Sequence, residues 1–185
     1  TFRALLLALI GTGLRVGEAM SLTRADVDLA ESLLTVRDSK FYKSRLVPIG
    51  PRLTEALRVY AKGRPKPSSS GAQSPFFTRR GGTALTHRIV HWHFCKLRAA
   101  AGVRRDDGGR YQPRLHDFRH TFAVRRLVAW YREGADVQRL LPQLSTYLGH
   151  VHIGATQRYL TMTPELLNEA NRRFERYALS EAYHV

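Results

Sequence analysis

His116-Asp117-Phe118-Arg119-His120-Thr121 is the stretch on which the fold of this chain turns. His116, Arg119 and His120 stand at i, i+3 and i+4, a spacing that puts all three on one face of a helix. Two imidazoles and a guanidinium converging there form a cluster able to hold a phosphate. The same letters imitate a zinc-protease helix of the H-E-x-x-H kind, with Asp in place of Glu. That alternative fails because Asp is too short for the general base and an arginine on the same face repels the metal.

Working outward, Gly13-Leu14-Arg15-Val16-Gly17-Glu18 sets an arginine between two glycines that let backbone and ligand approach closely. The plain alternative is an ion pair of Arg15 with Glu18. On the other side, Leu148-Gly149-His150 is followed nine residues later by Tyr159, after Ala155, Thr156, Gln157 and Arg158. Taken alone, Tyr159 reads as a core aromatic with a satisfied hydroxyl. Cleaving a phosphodiester without a metal requires a nucleophile, cationic donors for the non-bridging oxygens, a proton acceptor and an acid for the leaving oxygen. Residues of all four kinds are present.

The flanking sequence predicts a mainly helical domain with a small antiparallel sheet. Phe2 to Leu9 reads as a helix, Gly11 and Gly13 as a tight turn, and Val16 to Leu22 as a second helix. Thr23 caps a short turn over Asp26. Leu33 to Val36 and Leu46 to Ile49 form a hairpin whose turn carries Asp38, Ser39, Lys40, Phe41, Tyr42 and Lys43. A helix is expected over Pro51–Ala61, a loop over Lys62–Pro75, a third strand at Phe76 and Phe77, a helix over Thr86–Ala101, and a loop over Gly102–Pro113. Helices follow, with breaks at Gly134, Pro142, Gly149 and Pro164.

The 185 residues, 43% hydrophobic, suffice for one domain with a sizeable core. Thirty Lys and Arg against 15 Asp and Glu give a net charge of +15, spread through helices, hairpin and loops. Such a surface calls for a polyanionic partner. No apolar run is long enough to span a bilayer, and the lone Cys95 excludes an intrachain disulfide, so a soluble, cytoplasmic protein is expected. The chain opens at Thr1 inside a helical run, so a fragment of a longer protein is expected.

In order and spacing, five blocks resemble the active-site signature of the tyrosine recombinases, the phage-integrase family. They are Gly13-Leu14-Arg15; Lys40 with Lys43, Arg45, Val47 and Pro48; His116 to Thr121; Leu148-Gly149-His150; and Thr156 with Tyr159. The resemblance implies the catalytic-domain fold of that family over residues 1–185, preceded by a helical core-binding domain that closes a clamp around DNA. It implies that Tyr159 attacks the phosphorus to leave a 3′-phosphotyrosine, that Arg15 and Arg119 hold the non-bridging oxygens, and that His116 manages the tyrosine proton. His150 would donate to the phosphate and Lys40 protonate the leaving 5′-oxygen, with no metal and no cofactor. Lys43, Arg45, His120 and Arg158 would contact DNA. Double-stranded DNA is the implied partner, gripped by a homotetramer on two sites at the nucleoid.

Two departures stand out. The family's lysine turn usually has glycine beside the lysine, whereas Ser39 precedes Lys40 and Phe41 and Tyr42 follow it, so Lys43 rivals Lys40 as the acid. The stretch from His120 to His150 is longer than in compact members, with extra helix at Val128–Glu133 and an added Leu141–Leu144 segment, which resembles transposon-type recombinases. The alternatives are a type IB topoisomerase, which shares the chemistry, and a DNA-binding protein with a decayed site.

His87, His91, His93 and Cys95 imitate a metal cluster, but on a helix His93 and Cys95 point away from the first two. Solvent- or DNA-facing histidines and a buried Cys95 are expected instead. The last helix, 164–178, aligns Leu167, Ala170, Phe174 and Tyr177 along one stripe, which packs on its own domain or docks on a neighbouring protomer.

Overall fold

The computed structural model describes residues 1–39, 43–64, 71–161 and 164–182. They divide into two compact units, 1–119 and 120–185.

In the first unit, α1 (Phe2–Thr12) buries Leu5, Ala8 and Leu9, spaced as one helix face. It stops at Gly13, whose φ of 64° is left-handed and whose N–H donates to the Leu9 carbonyl at 2.9 Å. After α2 (Val16–Ser21), a 3-10 turn at Arg24–Asp26 is capped by Thr23, whose N–H and hydroxyl both donate to Asp26. Strands β1 (Val27–Asp28), β2 (Leu33–Ser39) and β3 (Lys43–Pro48) then form an antiparallel sheet in the order β1-β2-β3. Leu34 faces Val47 in register, and both are fully buried, while Leu46 beside them is exposed, the period-two pattern of a one-sided sheet.

Helix α3 (Pro51–Gly63) begins with proline, whose missing N–H costs nothing in a first turn. Helix α4 (His87–Ala100) is capped by Thr86, which accepts from the Ile89 N–H. The expected strand at Phe76 and Phe77 does not form, and the third strand is β1 instead. Single bridges at Thr23–Pro75 and Thr78–Ala84 flank the two phenylalanines. Both rings are buried and pack with Tyr60 at 5.5–5.6 Å and with each other at 5.0 Å, so they serve as core wedges in place of alternating strand residues.

The boundary between the units falls within α5 (Asp117–Arg132). In the second unit, Ala123, Val124, Leu127 and Val128 of α5 share a core with Val137, Leu141, Leu144 and Leu148 of α6 (Val137–Leu148). Pro142 was expected to break this stretch, yet it lies inside α6. An interior proline costs about 3 kcal/mol, whereas burying each of four large apolar side chains returns roughly 1.5–3 kcal/mol, so the amphipathic face prevails. Gly134 and Gly149, at φ 73° and 68°, end α5 and α6 as expected.

Next come α7 (Gly154–Gln157), a 3-10 turn at Arg158–Thr161 carrying Tyr159, and α8 (Pro164–Ala182). Of the stripe read as packing on its own domain or docking on a neighbour, Leu167 and Phe174 are exposed, and Leu166 enters the core instead. Arg132 pairs with Glu165 and Glu169 at 3.0 Å each, and Arg173 donates to the Ala135 carbonyl, which fastens the first half of the helix to its own unit. Among the described residues, no helix is long and apolar enough to cross a membrane.

The second core gives a direct test. Leu127→Ala empties a fully buried position and should cost about 2–5 kcal/mol with an unchanged denaturant slope. Leu167→Ala, at 53% exposure, should cost less than about 0.5 kcal/mol in the same urea titration.

Candidate active site

The first unit assembles its candidate residues around the end of α1. The left-handed turn at Gly13 aims that residue's carbonyl at Arg119, whose Nη1 donates to it at 2.8 Å. Arg119 is only 2% exposed, the largest fully buried side chain among the described residues. A guanidinium carries five N–H donors in a rigid fork, so a bond made by one of them helps to orient the others. His116 is not on α5 but in the turn before it, where it is exposed and its carbonyl accepts the Arg119 N–H at 3.0 Å. Of the three residues expected to share one helix face, Arg119 and His120 lie on α5 and His116 precedes it, so the expected face does not form.

Two residues past Gly13, Arg15 is the N-cap of α2. Its N–H and its Nη1 donate to the two oxygens of Glu18 at 3.0 and 2.7 Å. The ion pair that stood as the plain alternative is thus present, and it has a third member. Arg45, on β3, reaches the same carboxylate with Nη1 at 3.2 Å and Nη2 at 2.8 Å. Burial would push the Glu18 carboxyl up, but the hydrogen bonds and charge of Arg45, with those of Arg15, hold it below the usual carboxylate range. Glu18 stands where a capping box places its acid, three residues after the N-cap, and that spacing was available in the sequence. The convergence of Arg45 from 27 residues away was not.

Lys40 lies outside the described residues. Lys43 opens β3 opposite Ser39, and its side chain is likewise outside them.

The second unit gathers the other candidates. Tyr159 is 4% exposed and sits between two imidazoles, with ring centroids 5.3 Å from His120 and 6.0 Å from His150. His120, expected as a DNA contact, is thus a neighbour of the tyrosine ring. His150 Nδ1 shares a 2.7 Å hydrogen bond with the hydroxyl of the fully buried Thr156. When Thr156 donates, the neutral ring carries its proton on Nε2, the form that can donate to an anion. Arg158 is exposed on the turn beside Tyr159. Thr156 belonged to the sequence pattern, but its partner was hidden there because the pairing needs the turn from Gly149 to α7.

No acidic residue occurs between Glu55 and Asp106. Arg79, Arg80, His87, Arg88, His91 and Lys96 are all exposed within this span, which makes it a cationic segment of the first unit. A cavity of about 920 Å³ opens there, lined by Arg79, Arg80, Arg88 and Trp92 among others. Cys95 is half-buried, not buried as expected, because its position on α4 brings Sγ within 3.5 Å of the exposed His91 ring. The described residues contain no group of three His, Cys, Asp or Glu able to hold a metal ion.

Comparison with known proteins agrees with this pattern. The profile of the phage integrase family matches residues 1–165. A Sinorhizobium fredii protein named as an integrase/recombinase, y4rB, is 49% identical over 168 residues, covering 89% of this chain and 52% of its own. The crystal structure of XerA recombinase superposes with a TM-score of 0.73 at 27% identity, covering 92% of this chain and 55% of that one. The Tn1549 transposon integrase in complex with circular intermediate DNA shares the fold, with a TM-score of 0.68 at 21% identity over 94% of this chain and 59% of its own. The chain spans about half the length of the curated relatives it matches. With the family profile running over residues 1–165, a span that includes Arg15, His116, Arg119, His150 and Tyr159, the chain belongs to the phage integrase family.

Proposed function

We propose that this chain is the catalytic domain of a site-specific DNA recombinase that cuts and rejoins strands through Tyr159. The observation that carries this reading is the setting of Tyr159, a buried phenol held between His120 and His150 where a purely structural tyrosine would need no imidazoles. The tyrosine oxygen bonds to phosphorus as the bond from phosphorus to the 5′-oxygen breaks. The departing oxygen takes its proton from Lys40 or Lys43, and the tyrosine proton passes to His116. Arg15, Arg119 and His150 hold the non-bridging oxygens as charge builds on them. Attack by a second 5′-hydroxyl reverses the sequence, so no nucleotide is consumed.

The partner is double-stranded DNA in the cytoplasm, at the nucleoid, held through the cationic surface around α4 and through Arg158. The work is done by a homotetramer on two sites. Leu166 and Arg132 keep the start of α8 on its own unit, so Phe174, 68% exposed, is the residue offered to a neighbouring protomer. The long α5 and the uninterrupted α6 between His120 and His150 suit the transposon-encoded branch.

Three measurements follow. A nicked suicide duplex carrying the cognate site, incubated in EDTA, should yield a denaturant-resistant protein-DNA adduct that Tyr159→Phe abolishes; an equal adduct from the variant would place the nucleophile elsewhere. DNA affinity should fall steeply with salt, and Arg79→Gln with Arg80→Gln should lower the log-log salt slope by about two while leaving cleavage at saturating DNA intact. Phe174→Ser should reduce the mass of two-site complexes in sedimentation while single-site binding stays within about twofold.

A further inference from the structure

Three charged groups meet at Glu18, and their sum is the point. Arg15 sits 2.7 Å from a carboxylate, a partner that would neutralise it just where a phosphate needs its charge. Arg45 alters that balance. Its side chain is 9% exposed and that of Glu18 is 8%, and both of its terminal nitrogens donate to Glu18, one to each oxygen. Arg15 is the most open member, with 31% of its side chain exposed. Among these three side chains two guanidinium groups face one carboxylate, and Arg15 is the member that solvent reaches.

We infer that Arg45, which the sequence pattern assigned to DNA, is a positioning residue: it neutralises Glu18 so that Arg15 stays oriented by that carboxylate yet cationic toward phosphate. Arg45 also belongs to β3, opposite Val36 and two residues after Lys43. The same bidentate contact therefore ties β3 to the loop that bears Arg15. A lysine could supply the charge but not the fork that engages both oxygens. This inference rests on the proposed cleavage chemistry.

The test compares the wild-type chain with Arg45→Met, Arg45→Lys, Glu18→Gln and the Arg45→Met/Glu18→Gln double variant. Each is measured for DNA affinity across salt and for single-turnover adduct formation at saturating duplex. Arg45→Met should slow adduct formation tenfold or more, with the salt slope unchanged. Arg45→Lys should recover part of the rate. Adding Glu18→Gln to Arg45→Met should raise the rate above that of Arg45→Met alone, because removing the carboxylate releases Arg15, and that non-additivity marks a shared charge. A direct phosphate contact predicts the opposite: a salt slope lowered by about one and an unchanged rate at saturation. That result, or strictly additive losses in the double variant, would overturn the inference.

Wild type and Tyr159→Phe run alongside, so failure of the cleavage chemistry itself is seen separately as a missing wild-type adduct. In that event acid unfolding decides. Glu18 has a depressed carboxyl, so its contribution to stability is present above the ordinary value of 4.5 and is lost as pH falls through the folded value. Arg45→Met should move that loss to higher pH, and the double variant should abolish it. Identical acid limbs in Arg45→Met and wild type would reject the coupling.

Discussion

Helix α1 ends on a residue at φ 64°, a backbone conformation that glycine adopts readily and that costs other residues a steric clash. Everything at the end of the first unit's N-terminal helix pair follows from that turn. It directs the Gly13 carbonyl to Arg119, 106 residues further along the chain, and releases Arg15 two residues later as the cap of α2. Once Arg15 is the N-cap, Glu18 is the residue whose side chain can reach back to it. A side chain at position 13 would strain the turn and displace two arginines together, though neither is its neighbour in sequence.

Arg119, Glu18, Tyr159 and Thr156 are buried, and each burial is compensated differently. Arg119 is anchored by a backbone carbonyl, Glu18 by two guanidinium groups, Tyr159 by ring packing against His120 and His150, and Thr156 by the His150 ring. An unpaired buried charge is strongly unfavourable, so each such group is retained only with a partner that also fixes its orientation. Orientation set before the ligand arrives is what lets donors act on a phosphate without rearranging during the reaction. The ion-pair network of Arg132 with Glu165 and Glu169 does a comparable job for α8 near the surface, where solvent weakens it.

Much of this was legible in the chain. Spacing of apolar residues located α1, α3, α4 and both long strands, and glycines marked the ends of α1, α5 and α6. The misses share one cause, which is that tertiary burial overrides local preference. Pro142 is a helix breaker by its own chemistry, yet the face formed by Val137, Leu141, Leu144 and Leu148 carries the helix through it. Phe76 and Phe77 have strand propensity, yet the space beside Tyr60 takes them as wedges.

By itself the sequence determined which chemical groups are available and roughly which elements bear them, because helix and strand periodicities and glycine turns act over a few residues. The order of Arg15, Arg119, His150 and Tyr159 along the chain was enough to identify the family. Only the tertiary structure decided how those groups are partnered: that Arg45 shares Glu18 with Arg15, that Arg119 grips the Gly13 carbonyl, and that His120 lies against Tyr159. Those pairings join residues 27, 106 and 39 positions apart. Contacts at such separations depend on which surfaces are buried together, and burial is a property of the folded chain that no local pattern encodes.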